Sequence, residues 1–166
     1  MTFQGRTYGS VEMEVDILGQ VPRIPDEWIC RDASGGAAIP DAHHVTLKYG
    51  LIPGLVSEAD VWETLSGWDR PLLCSGGMEI AAFGGSDDET YVALRCPLPA
   101  LSEAHRLLSR LPHVDPFPTY EPHVTLAHVP SGAYPFVRCL FPFDAVRSWR
   151  LTFGEITVSN LTSDDA

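Results

Sequence analysis

Apolar and charged positions alternate without a break from Val11 to Ile17: Val11, Met13, Val15 and Ile17 are apolar, and Glu12, Glu14 and Asp16 carry charge. A period of two predicts a half-buried strand. Shorter apolar runs predict further strands over 43–49, 72–83, 91–95, 122–129 and 151–161, several of them closed by Gly or Pro. The runs 72–83 and 91–95 are expected to pair around the turn Gly84–Glu89. Helical spacing occurs twice. Ser57 with Asp60 three positions on gives a capping box ahead of Val61, Trp62 and Leu65. Ala104, Leu107, Leu108 and Leu111 mark a helix from about Ala100 to Leu111, ended by Pro112. Residues 18–42, rich in Gly, Pro and Asp, predict a long loop with a short helical turn near Pro25–Trp28; such a loop often has a function, for instance as a lid. The tail 162–166 is expected to be disordered. Strands alternating with helices predict an α+β fold.

Within this pattern one tetrapeptide occurs twice, as His44-Val45-Thr46-Leu47 and as His123-Val124-Thr125-Leu126, each inside a predicted strand. Side chains alternate faces along a strand, so the His and Thr of each copy share a face, roughly 6–7 Å apart, while Val and Leu turn to the core. The repeat predicts two similar halves related by an approximate twofold axis. Two such strands side by side would gather two imidazoles and two hydroxyls at one cleft.

At 166 residues, 45% of them apolar, the chain is expected to form one domain over 1–166 with a core that needs no disulfide or metal. No apolar run approaches a membrane span, and the first residues lack the basic and apolar regions of a signal peptide, which predicts a cytoplasmic protein. The net charge is −11, Lys48 is the only lysine, and the arginines are scattered. That balance argues against long RNA or DNA as partner and leaves room for a small nucleotide. Cys30, Cys74, Cys96 and Cys139 form no C-x-x-C pair and none neighbours a histidine, so reduced and buried thiols are expected in preference to disulfides or a zinc site.

The doubled motif suits acid–base chemistry on a phosphodiester. Histidine titrates near neutrality, so one neutral imidazole can take a proton from the nucleophile while a protonated partner supplies the leaving oxygen. Two Thr hydroxyls can hold the non-bridging oxygens. No cofactor or metal is required. Lys48, two positions beyond Thr46, is expected on the same face, either offsetting phosphate charge or simply exposed at the strand end. His43 and His128 are expected on the core-directed faces, which argues against a metal cluster with His44 and His123. Tyr8, Tyr49, Tyr120, Trp28, Trp149 and Phe153 are candidates for base stacking, with core packing as the alternative. Glu155 on the last strand is a candidate acceptor for a base edge, or else a solvent-facing glutamate.

These residues resemble the two-histidine (2H) phosphoesterase superfamily, whose signature is His, an apolar residue, Thr or Ser, and a second apolar residue, present twice. The resemblance implies two pseudo-symmetric lobes of antiparallel sheet with flanking helices around a central cleft, and metal-independent cleavage of nucleotide phosphodiesters. His44 and His123 would be the acid–base pair, with Thr46 and Thr125 holding phosphate. The longer string His44–Leu51 is most similar to the phage anti-CBASS nucleases, which implies a cyclic di- or trinucleotide immune signal as substrate and host cytoplasm as location. In that group residues before the first motif strand and on the last strand contact bases, places that Tyr8 and Glu155 occupy here. The alternatives are an enzyme of RNA 2′,3′-cyclic phosphates or 2′–5′ linkages and a module that sequesters nucleotides without cleaving them.

Overall fold

The structure, a computed structural model, describes residues 2–3, 6–31, 37–40, 42–84, 88–115 and 119–161. The expected tail at 162–166 and the centre of the turn at 85–87 lie outside them. The strands are β1 (Thr2–Phe3), β2 (Arg6–Thr7), β3 (Gly9–Leu18), β4 (His44–Leu51), β5 (Leu73–Ser75), β6 (Glu79–Phe83), β7 (Glu89–Arg95), β8 (His123–Pro130) and β9 (Arg150–Ser159). The helices are α1 (Glu58–Leu65), α2 (Pro99–Leu108), α3 (Tyr134–Cys139) and α4 (Phe143–Ser148). Single 3₁₀ turns occupy Asp26–Trp28, within the stretch expected to turn, and Ser131–Ala133.

The fold is α+β, as the element pattern predicts. Seven strands form one antiparallel sheet in the order β5-β9-β3-β4-β8-β7-β6, and β1 with β2 forms a separate ribbon. The two motif strands are therefore neighbours at the centre. The first lobe is β5, β9, β3 and β4; the second is β8, β7 and β6. Val45, Leu47 and Val124 are fully buried and Leu126 nearly so, on the face that the helices cover. Each such side chain contributes about 1.5–3 kcal/mol by leaving water. The capping box at Ser57 forms as expected, with the Ser57 hydroxyl accepting from the Asp60 backbone N–H.

The observed elements depart from the sequence pattern in two places, each for an identifiable reason. The run 72–83 is not one strand. Gly76 and Gly77 both take positive φ, 78° and 72°, and break it. The first piece pairs with β9 at one edge of the sheet and the second with β7 at the other. Helices α3 and α4 have no counterpart in the sequence reading; each is six residues long and carries Pro at its start or just before it, too short for a helical period to register.

β4 and β8 share one backbone pair, Val45 with Val124, and then diverge. Each wedge between them is filled by the loop that leads into the opposite strand. The loop before β4 reaches β8: the Cys30 N–H donates to the His128 carbonyl at 2.8 Å and the His128 N–H to the Ala38 carbonyl at 3.0 Å. The loop before β8 reaches β4: the Val114 N–H donates to the Gly50 carbonyl at 2.9 Å and the Ile52 N–H to the Pro112 carbonyl at 3.1 Å. The lead-in loops are thus exchanged between the halves.

Candidate active site

The single pairing of Val45 with Val124 fixes the geometry of the motifs. In an antiparallel register it sets His44 opposite Thr125 and Thr46 opposite His123, all on the face away from the helices. In a regular ladder directly opposed Cβ atoms are about 4.5–5.5 Å apart and diagonal ones about 7–8 Å; because β4 and β8 diverge from Val45–Val124, the two histidines sit on a diagonal at least that long. Two charged or hydrogen-bonding rings at that separation can address one phosphorus atom from two sides. All four residues are partly exposed, so the quartet is open to a ligand.

The two histidines sit in different surroundings. His44 Nε2 lies 3.9 Å from a Glu12 carboxylate oxygen, and Glu12 and Glu14 of β3 flank it in register. His123 stacks on Phe83, with centroids 4.3 Å apart and planes 12° apart. Its Nδ1 is 2.7 Å from the Glu121 carbonyl, which can only accept, so Nδ1 carries the proton and Nε2 keeps its lone pair. Burial pushes the His123 pKa below the ordinary imidazole value, with the positive potential of His44 and Arg95 adding to the effect against the Glu121 carbonyl and carboxylate. Arg95 itself is held by Glu79 at 2.5 Å and Glu121 at 2.7 Å, with its guanidinium 5.5 Å from the Phe83 ring centre.

Lys48 does not join the quartet, contrary to the expectation from alternation. Glu12 pairs with Thr46 but Val11 pairs with Lys48, so β4 carries one extra residue, a bulge at Leu47. The bulge turns Lys48 to the helix side. Its side chain is fully buried there, with Nζ 3.4 Å from Asp115. Burial lowers its pKa, and Asp115 opposes that shift. Two carbonyls at the bulge are taken by side chains: the Tyr120 hydroxyl donates to the Thr46 carbonyl at 3.0 Å, and a His105 ring N–H to that of Leu47 at 2.9 Å. Tyr120 and His105 stack on each other at 3.9 Å. Tyr120 thus supports the motif strand and is not a free stacking surface.

β8 has the matching bulge. Val92 pairs with Ala127 and Ala93 with Thr125, leaving Leu126 extra. His128 is therefore turned to the same face as His123, not to the core, and stacks on Tyr91 at 4.4 Å. Tyr49 holds the corresponding place on β4, edge-on to the buried Tyr8 at 6.4 Å. Trp149 and Phe153 are core residues, and Trp28 packs at 6.0 Å from Phe136. Glu155 is exposed on β9, two strands from β4 and so about 10 Å to the side, without a hydrogen bond or ion pair among the described residues. Sequence reading missed Glu12, Phe83 and Arg95 as neighbours of the histidines. The alternation in β3 did put Glu12 on a polar face; no local signal pairs Phe83 with His123.

A cavity of about 630 Å³ starts at Arg95 and Glu121 beside His123 and runs past Ser102, Arg106 and Tyr120. Another, of about 610 Å³, lies between residues 18–23 and α4 and contains none of the quartet. Among the described residues no helix is long and apolar enough to cross a membrane.

No family model matches this chain, and no curated protein does. Among solved structures, Usb1 of Kluyveromyces marxianus, determined with uridine monophosphate, is similar at a TM-score of 0.46 and 11% sequence identity, over 92% of this chain and 95% of that one. A likeness that distant has no bearing on chemistry.

Proposed function

We propose that this chain is a two-histidine phosphoesterase that cleaves a phosphodiester of a small nucleotide by acid–base catalysis, with His44, Thr46, His123 and Thr125 as its catalytic residues and no catalytic metal. The observation that carries the reading is the single Val45–Val124 pairing, which gathers both copies of the motif on one accessible face. His123 is the base. Its Nδ1–H is committed to the Glu121 carbonyl and its environment favours the neutral ring, so Nε2 can take the proton of the attacking hydroxyl or water. His44, with the Glu12 carboxylate beside it, gives its proton to the leaving oxygen. The Thr46 and Thr125 hydroxyls donate to the non-bridging oxygens as negative charge builds on them.

Within that class we place the substrate among cyclic di- and trinucleotide immune signals, which would make the chain an anti-CBASS counter-defence nuclease acting in the host cytoplasm. Charge supports a compact substrate. Carboxylates at Glu12 and Glu14 line the His44 side, and Arg95 on the other side is already paired twice, so the groove offers little to a long polyanion. Glu155 is well placed for a base edge while the phosphate sits at the quartet. The test is a mass-spectrometric panel of cyclic dinucleotides, cyclic trinucleotides and RNA with a 2′,3′-cyclic end, all in EDTA. Turnover of the cyclic oligonucleotides is expected. Turnover of the RNA end alone would transfer the chain to the RNA-end enzymes, recovery of every ligand uncut would make it a sequestering module, and loss of activity in chelator from a chain whose melting curve is unchanged would refute the mechanism.

The base assignment has a signed pH consequence. The active form of His123 is neutral and exists above its pKa, which burial holds below the ordinary value of about 6.5. The rising limb of kcat/KM is therefore expected below about pH 6.5. Phe83→Ala opens the ring to water, moves that pKa back up, and should shift the limb to higher pH. A limb that stays put in the variant removes His123 as base.

A further inference from the structure

Outside the quartet, the fold brings together three unlike donors that are remote in sequence. Cys30 comes from the loop before β4, Glu89 opens β7, and His128 lies on β8 beyond its bulge. One donor atom from each falls within 4.8 Å of the other two. We propose that Cys30, Glu89 and His128 bind a divalent transition metal of the zinc class, fastening the loop before β4 to the second lobe.

The frame for this site exists without the ion. The Cys30 N–H donates to the His128 carbonyl, the His128 N–H to the Ala38 carbonyl, and the Ala38 N–H to the Cys30 carbonyl at 2.9 Å, so the two backbones are clamped together. Stacking on Tyr91 at 13° fixes the plane of the His128 ring. The His128 Nε2 is shielded from solvent and lies 3.3 Å from the Glu89 carboxylate, yet makes no hydrogen bond of acceptable geometry among the described residues. The carboxylate already receives the Cys30 thiol hydrogen bond while the ring nitrogen beside it makes none, an arrangement that suits a cation replacing the thiol proton between all three. Burial and the Glu89 charge raise the Cys30 pKa, so without a metal the thiol is protonated and inert. A dication reverses that balance: the thiol proton leaves to solvent as the S–metal bond forms. Sulfur, imidazole and carboxylate together are a zinc-type donor set, and solvent can complete a tetrahedron. Zinc–ligand lengths of about 2.0–2.3 Å imply donor separations of roughly 3.3–3.8 Å; the His128–Glu89 pair at 3.3 Å already meets this, and the remaining separations, within 4.8 Å, close by at most about 1–1.5 Å on ligation. A Cys–His–carboxylate nucleophile is disfavoured, because the carboxylate stands between thiol and ring instead of behind the ring.

Cross-strand register puts His128 about 7 Å along the sheet beyond Thr125 and about 13 Å beyond His123, with Glu89 a further step out opposite Pro130, so the ion would sit beside the quartet and not between its two histidines. The site is independent of the phosphodiesterase reading, and its test reads no activity. Full-length protein freed of metal by chelator is titrated with Co²⁺, then with Zn²⁺ in competition. One equivalent of Co²⁺ should bind with a near-ultraviolet thiolate charge-transfer band, Zn²⁺ should displace it, and Zn²⁺ should raise the Tm. Cys30→Ser should lose the band, while substitution of the exposed Cys139 by Ser should keep it. His128→Gln should weaken Co²⁺ binding by roughly 10–100-fold or more, since even outer-shell partners are worth that much. If Cys30→Ser fails to fold, His128→Gln and Glu89→Gln decide the matter: unchanged affinity in both overturns the site. So does a folded wild-type chain without the band, or a band that survives Cys30→Ser.

Discussion

His123→Ala is expected to lower kcat by about 10²–10⁴-fold on any phosphodiester the protein cleaves, with little change in thermal stability. The ring is partly exposed and stacks on Phe83, so removing it leaves a surface groove, not a core void. His44→Ala should cost a similar factor, because each proton transfer depends on one of the two rings. The double variant should be barely worse than either single one, since residues that act in one step lose their effect together. Glu12→Gln belongs to the same measurement and should act only where His44 is present. A His44→Ala, His123→Ala protein that still turns over substrate would eliminate the acid–base pair. The readouts are single-turnover kinetics in EDTA and a melting curve for each variant.

The largest effect on stability is expected at a position that carries no chemistry. Gly50 has φ of +92°, and a Cβ there would land on the Val114 carbonyl oxygen. The strain of that backbone region alone costs an L-residue about 1–3 kcal/mol. The clash adds to it, because the obstacle is backbone that donates its own N–H to the Gly50 carbonyl at 2.9 Å. Gly50→Ala should therefore lower the unfolding free energy by at least about 2 kcal/mol, measured by urea denaturation. Gly54 provides the control: it has φ of +77° but open space around it, and Gly54→Ala should show the strain without the clash. Equal losses at the two sites would mean that the lead-in loop yields easily and that the wedge is soft.

The strand faces were readable from the sequence up to one residue past each threonine. Alternation put His44 with Thr46 and His123 with Thr125, and the structure agrees. It then assigned Lys48 to the open face and His128 to the core, and both are reversed. The cause is the same in each copy: a bulged leucine, Leu47 or Leu126, resets the period of two. Nothing in the local composition announces a bulge whose residue is an ordinary buried leucine. The repeat could have raised the suspicion, because Lys48 and Ala127 occupy equivalent places and only one of them suits solvent. Glu12, Phe83 and Arg95 became neighbours of the histidines through cross-strand register, which depends on pairing partners far away in the chain. The exchange of lead-in loops was hidden for the same reason.

That exchange makes the two halves mutually dependent. The stretch ahead of the first catalytic strand completes the far end of the second, and the reverse holds as well. A substitution near Cys30 is thus transmitted to the backbone that carries His123, and one near Val114 to the backbone that carries His44. Neither copy of the repeat can drift on its own, and the groove between them behaves as a braced arch that resists opening, not as a pair of jaws.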